Sequence, residues 1–536
     1  LSLFVIAVVA ALFVFPCTIN SWWFYLDDPM TLRVSRDLFS NSSWIFPDNS
    51  TGRYFPIYWL YHAVIYHMFG ESPFAFFLVQ SLVILASAFL IYFITLHITE
   101  NKTGAVIAAL LFLTGTAMPE NAYTLGKAEP KALLFILLAL LLLVKYISSD
   151  KPCQNPFYIL FISLTMLCAM LMKEVGGLIV VTVVAGLLVT LTFKSFRHLK
   201  NKLLLLSFML TAAVLIGRIP FLFRGPSAQN NYITYQFNFD IIYKNYEFYL
   251  FQTPDLFMLA VISLISLVIC SFGSTLKLFP EQKVNIFMTF ILGCSFAGCY
   301  LVWRSSLIYY AYLAYGFFSI SAMSFVLLLR KRTALNIFIY ASLLVFLTVT
   351  RVFSVPAFYY IASTQVAQTK LYQHLVQEYL KTEYRGSRLF IENWPSFSEQ
   401  ISATNLLLNN IFGRKDLKVI GLHDVLHPQI VTAEMKRLYR IDDSQQKSVD
   451  APRTGDIVVV FSGYKPSRWS IRAISPCDNS RGTVLTKHGF QMRLVSSREI
   501  ADRAFILKSL VPPLFERTNT FLGCSIYKVE KAGLLS

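Results

Sequence analysis

Apolar and polar residues do not mix along this chain at the short spacing of a soluble fold; they alternate in blocks. A membrane-crossing helix needs about 20 mainly apolar residues. Eleven stretches have that character: 2–20, 73–98, 104–119, 129–148, 157–172, 175–193, 203–222, 254–275, 284–302, 306–329 and 334–353. Three long segments interrupt or follow them, at 21–72, 223–253 and 354–536. Within the first, residues 56–69 are aromatic and amphipathic, carry His62 and His67, and are too short and polar to span. They predict a helix lying in the membrane interface. The opening residues 1–15 lack a basic leader, and Pro16-Cys17-Thr18 is no cleavage site, so they are expected to stay as a first span.

Beyond about residue 385 the pattern changes. Short apolar runs at 388–391, 417–421 and 456–461 predict strands, and 398–411 and 431–438 predict helices. This alternation suits a small α/β domain. It holds no glycine-rich phosphate loop and no GxSxG setting for a serine nucleophile, so no catalysis is placed there. The expected fold is a polytopic α-helical membrane protein of about 11 transmembrane helices with a C-terminal extracytoplasmic α/β domain. Residues 1–353 would form the membrane part and 354–536 the soluble one. No internal repeat is visible.

Composition agrees: 55% of residues are hydrophobic and 14% charged, against roughly a quarter charged in soluble domains. The net charge of +17 would suit nucleic acid, but no nucleic-acid module is present and the excess marks loops instead. One set of short loops carries Lys102, Lys145, Lys151, Lys194, Arg197, Lys200, Lys202, Lys277, Lys283 and Arg330-Lys331-Arg332. The alternate loops carry far fewer, and basic loops stay cytoplasmic. The N-terminus is therefore expected inside and the C-terminal segment outside, in a plasma (inner) membrane protein. The eight cysteines show no metal-ligand spacing; only Cys477 and Cys524 share the tail, where an extracytoplasmic disulfide would be compatible with their placement.

The unusual polar residues collect on the outer side. Asp27-Asp28 follows the first span, with Arg33, Arg36 and Arg53 farther along. The turn between spans three and four contains Glu120, Lys127, Glu129 and Lys131. Lys173-Glu174 sits between spans five and six with almost no loop around it, Arg218 ends span seven, and Arg304 follows span nine before Tyr309, Tyr310 and Tyr312. Any one could be a solvated charge or a helix-end anchor. Together they put carboxylates and cations at one depth on one side, as an interfacial active site requires.

A first span, an acidic pair opening a long outer loop, an interfacial helix and an outer Lys-Glu pair resemble the GT-C superfamily of membrane glycosyltransferases. Arg53-Tyr54-Phe55-Pro56 and Met172-Lys173-Glu174 are similar to elements of its protein O-mannosyltransferase and aminoarabinose-transferase branch. The resemblance covers residues 1 to about 330. It departs in having Asp-Asp where that branch often has Asp-Glu.

What the resemblance implies is transfer of a sugar from a polyprenyl-phosphate or pyrophosphate lipid to an acceptor outside the cytoplasm. An acceptor hydroxyl is a poor nucleophile, so a carboxylate should take its proton; Asp27 is the first candidate, with Asp28 next or orienting it. Cations stabilise the departing phosphate, and the candidates are Lys127, Lys173, Arg218, Arg304 and Arg53. Glu129 and Glu174 would orient those cations or bind sugar hydroxyls. Paired carboxylates also suit Mg²⁺ or Mn²⁺, though the branch implies no metal or other cofactor. Expected partners are the sugar lipid, membrane lipids and an acceptor that is protein, lipid or glycan. The rival readings are another lipid-linked sugar ligase or polymerase, a transporter or flippase, and a non-catalytic assembly subunit. Transport would place ionisable groups near the bilayer midplane.

Overall fold

The computed structural model describes residues 1–23, 27–40, 54–148, 156–222, 238–272, 278–302, 307–330, 333–384, 387–391, 398–422, 452–462, 484–487, 490–501 and 521–531. By internal contacts the chain forms two compact units. One comprises Leu1–Ile19, Ser35–Tyr123 and Lys127–Phe358; the other comprises Asn20–Val34, Thr124–Gly126 and Tyr359–Ser536.

The first unit is a helical bundle, and all eleven apolar stretches are helical in it. Among the described residues, eight helices are long and apolar enough to cross a membrane, and a ninth arises if the bent pair Phe239–Gln252 and Pro254–Cys270, at 97°, counts as one span. The remaining two are shorter. Lys102–Leu113 has 12 residues, about 18 Å at 1.5 Å per residue, because the Thr114-Gly115-Thr116 turn ends it earlier than the apolar run does. Phe157–Met172 is the second short one.

Local chemistry sets the reversals. The Ser72 hydroxyl accepts from the Ala75 amide at 3.4 Å to open the helix Pro73–Thr99, with Pro73 in its first turn. At its far end Glu100 adopts a left-handed conformation, and Asn101 then caps the next helix by accepting from the Gly104 amide at 2.8 Å. Two residues therefore reverse the chain. The segment Ile308–Leu328 is wholly buried in the bundle, consistent with its apolar character on every side. The predicted interfacial helix forms as Pro56–Phe69: Tyr58, His62, Ala63 and Ile65 are buried, whereas Leu60, Val64, Met68 and Phe69 are exposed. An outward apolar stripe on a 14-residue helix matches an element that lies on the membrane.

In the second unit a six-stranded mixed sheet runs in the order β2-β1-β3-β6-β5-β4. Strand β1 (Arg388–Ile391) pairs in parallel with β2 (Lys418–Gly421) and β3 (Ile457–Ser462). The other half, β4 (Val484–Lys487), β5 (Phe490–Ala501) and β6 (Phe521–Lys531), is antiparallel. Phe390, Ile420, Val458, Met492, Tyr527 and Val529 form the core of one face. The three predicted strands all appear, and Ser398–Asn405 is helical and continues to Ile411 as a wider turn. The predicted helix 431–438 lies outside the described residues. Cys524 is buried on β6, and burial pushes its thiol up; Cys477 lies outside the described residues.

Candidate active site

Asp28 is the first residue of the helix Asp28–Asp37 and is fully buried. Its Oδ1 accepts from two consecutive backbone amides, Leu125 N at 2.9 Å and Gly126 N at 3.2 Å. Successive amides aimed at one oxygen form an anion-binding nest. Asp27, half-buried, packs directly on Gly126: a Cβ added there would lie 2.0 Å from the Asp27 Cβ. Glycine at 126 is thus required by close approach, and the sequence pieces Asp27-Asp28 and Thr124–Gly126 belong to one compact unit.

The other carboxylate and its cations lie in the first unit. Glu129 is fully buried at the start of the helix Glu129–Ser148. Its Oε1 is ion-paired to the Lys173 ammonium. Lys173 emerges at a sharp turn: its amide closes the preceding helix on Ala169 O at 2.9 Å, and its own carbonyl accepts from Gly176 N at 2.9 Å. A Cβ at Gly176 would sit 2.7 Å from the Ala169 carbonyl carbon, so this turn tolerates no side chain there. Lys127 is buried with its ammonium 4.1 Å from the centre of the Tyr309 ring. Lys173 lies 5.9 Å from the same ring, 5.1 Å from Tyr310 and 6.0 Å from Tyr300. Two lysines from separate inter-span turns therefore converge on one tyrosine cluster, where cation–π attraction holds them.

Other sequence candidates divide as follows. Glu120 is buried and accepts from the Tyr309 amide at 3.2 Å, which fixes the tyrosine cluster from behind. Lys131 is buried and donates to the Lys127 carbonyl at 2.9 Å, below the rings of Tyr58 and Tyr61. Arg36 pairs with its neighbour Asp37 at 2.8 Å. Glu174 is half-buried in the turn after Lys173. Arg218 falls in the helix Lys200–Leu222, outside the residues whose side chains are described, and Arg53 and Arg304 lie outside the described residues altogether. Asp240, Lys244 and Glu247 lie on the exposed helix Phe239–Gln252, part of the expected second outer segment.

One cluster escaped the sequence reading. Asp255, buried in the first turn of its helix, accepts from Thr116 N at 3.2 Å and Thr116 Oγ1 at 2.9 Å, and also from the Tyr315 hydroxyl. Arg351 approaches the same carboxylate at 3.6 Å and donates to Leu111 O at 3.3 Å. An arginine inside the apolar run 334–353 was the available signal, since such a charge requires a partner. His62, which the sequence placed on the interfacial helix, has both ring nitrogens buried among the rings of Tyr58, Tyr61 and Phe76, without a hydrogen-bond partner among the described residues. Burial, and then the nearby charge of Lys131, hold its pKa well below the usual range, so the imidazole is neutral.

No family model and no curated protein matches this sequence. Among solved structures, the chain is similar to ArnT from Cupriavidus metallidurans bound to undecaprenyl phosphate, at 12% identity and a TM-score of 0.48, with 97% of each chain covered. The same protein in the apo state gives 12% identity and 0.46, covering 85% of this chain and 92% of that one. The apo oligosaccharyltransferase of Archaeoglobus fulgidus gives 12% and 0.47, covering 76% of this chain and 64% of that one.

Proposed function

We propose that this chain is a GT-C-type glycosyltransferase that moves a sugar from a polyprenyl-phosphate lipid to an acceptor on the extracytoplasmic side of the membrane. The observation that carries the reading is the convergence of Lys127 and Lys173 on Tyr309, with Lys173 fixed by the buried Glu129. Paired cations with no freedom to relax suit a phosphate that gains charge as it departs. An ion pair holding Lys173 also spares the cation from having to be oriented by the substrate.

In this reading the acceptor oxygen attacks the anomeric carbon while the bond from that carbon to the phosphate oxygen breaks. The electron pair leaves with the lipid phosphate, next to Lys127 and Lys173. The acceptor proton passes to Asp27. Asp28 is assigned the orienting role because its Oδ1 already accepts two backbone amides, which ties the carboxylate to the chain at 125–126. The charge asymmetry of the loops supports the outward side for this chemistry.

The test is Asp27→Asn in the full chain, with sugar transfer from polyprenyl-phosphate donors followed in membranes. A general base contributes roughly 10²–10⁴-fold, so transfer should fall by at least about a hundredfold while membrane insertion is unchanged. Transfer at the original rate by this variant would remove Asp27 from the mechanism.

A further inference from the structure

We infer that the second oxygen of Glu129 and the hydroxyls of Tyr300 and Tyr312 form the subsite that recognises neutral hydroxyl groups of the transferred sugar. The inference rests on the glycosyl-transfer reading and adds its sugar-binding side. Glu129 is fully buried, Tyr300 is 3% exposed and Tyr312 1%. Lys173 takes Oε1 of the carboxylate, whereas Oε2 and both phenolic oxygens are buried without a hydrogen-bond partner among the described residues. Buried polar atoms are nearly always bonded, and a group of exceptions marks a place built for something else to bond there. The helix that Glu129 opens packs against both helices that carry the two tyrosines, and the Lys173 ammonium that Glu129 holds lies 6.0 Å from the Tyr300 ring.

The rings are held so that their hydroxyls are fixed in place. Tyr300 stacks on Tyr310 with centroids 4.4 Å apart, and Tyr312 packs on Phe112 at 5.2 Å. A free carboxylate oxygen accepts only, whereas a phenol both donates and accepts. That combination complements adjacent hydroxyls on a sugar ring, which present donors and acceptors side by side. A phosphate has its partners in the Lys127 and Lys173 ammonium groups, and a carboxylate oxygen, which only accepts, offers it no donor. A cationic group gains little there, because Lys173 already neutralises Glu129 and Lys127 adds positive charge at the same tyrosine cluster. Neutral hydroxyls remain as the class that fits.

The experiment measures equilibrium binding to the full chain in nanodiscs. The probes are bare farnesyl phosphate and the same lipid carrying a mannosyl, glucosyl or arabinosyl head. Tyr300→Phe and Tyr312→Phe keep the rings and remove only the hydroxyls. The combined variant should lose about tenfold in affinity for the best glycosylated probe, the sum of two neutral hydrogen bonds, and less than about twofold for the bare phosphate. An unchanged thermal midpoint identifies the loss as one of recognition. If the wild-type chain prefers a glycosylated probe and the variant keeps that preference, the subsite is refuted and the transferase reading stands. If the wild-type chain binds none of the lipids, both fall.

Discussion

Two fully buried carboxylates anchor this molecule in contrasting ways. Asp28 is bound by backbone amides of Leu125 and Gly126, whereas Glu129 is bound by the side chain of Lys173. Backbone donors survive every substitution but proline; they depend on the chain keeping its path through 124–126. A lysine can be removed while the path stays intact. The first carboxylate is therefore vulnerable to changes in backbone spacing, and the second to changes in charge. The buried Asp255 combines both arrangements, with one backbone amide, two hydroxyls and Arg351 around it.

The contrast breaks most sharply at Lys173. Lys173→Met leaves the Glu129 carboxylate buried and unpaired, which costs about 3–5 kcal/mol. The thermal midpoint of the purified chain should fall by many degrees, and adding Glu129→Gln should recover most of the loss. Equal midpoints for wild type and Lys173→Met would mean that the ion pair does not hold this turn.

A smaller effect is expected where the backbone itself is the ligand. Gly126→Ala places a methyl group against Asp27, at 2.0 Å before any movement, and overpacking of this kind costs about 1–3 kcal/mol. Because Asp27 must shift, sugar transfer should fall about a hundredfold, the scale of a 1 Å misplacement at a reacting group. Retained transfer with an unshifted midpoint would show that Asp27 and Gly126 need no close approach.

His62 sharpens the comparison from the side of a buried base. Its folded pKa is lowered by burial and by Lys131, so below about pH 6.5 the unfolded imidazole binds a proton that the folded one refuses. Stability attributable to His62 is then present above that pH and declines as the pH falls, by at most about 1.4 kcal/mol per unit. Thermal midpoints measured from pH 7.5 to 5 should drop less in His62→Phe than in wild type. Parallel pH profiles for the two proteins would contradict the neutral, buried assignment.

Much of the architecture was legible in the sequence because lipid imposes a simple rule on long apolar runs: backbone groups must bond within the segment. Hence each of the eleven stretches is helical, and so is the amphipathic segment at 56–69. Strands β1 to β3 were legible from short apolar runs between turn residues. The antiparallel half of the sheet was not; β5 and β6 owe their strand state to pairing with each other and with β4 and β3 on either side. The break after Leu113 was also missed, although Thr114-Gly115-Thr116 interrupts the apolar run with weak helix formers.

For the candidate site, residue types and loop order, together with the family resemblance, singled out Asp27, Asp28, Lys127, Glu129 and Lys173 as candidates. They could not assign partners. That Lys173 meets Glu129 depends on two turns 44 positions apart, and that Asp28 rests on Leu125 and Gly126 depends on a separation of nearly a hundred. Hydropathy is a property of each segment alone, so the chain's solvent and its helices follow from sequence. Which charge neutralises which, and which buried hydroxyls have no partner among the described residues, depends on distances between segments, and only tertiary packing sets those.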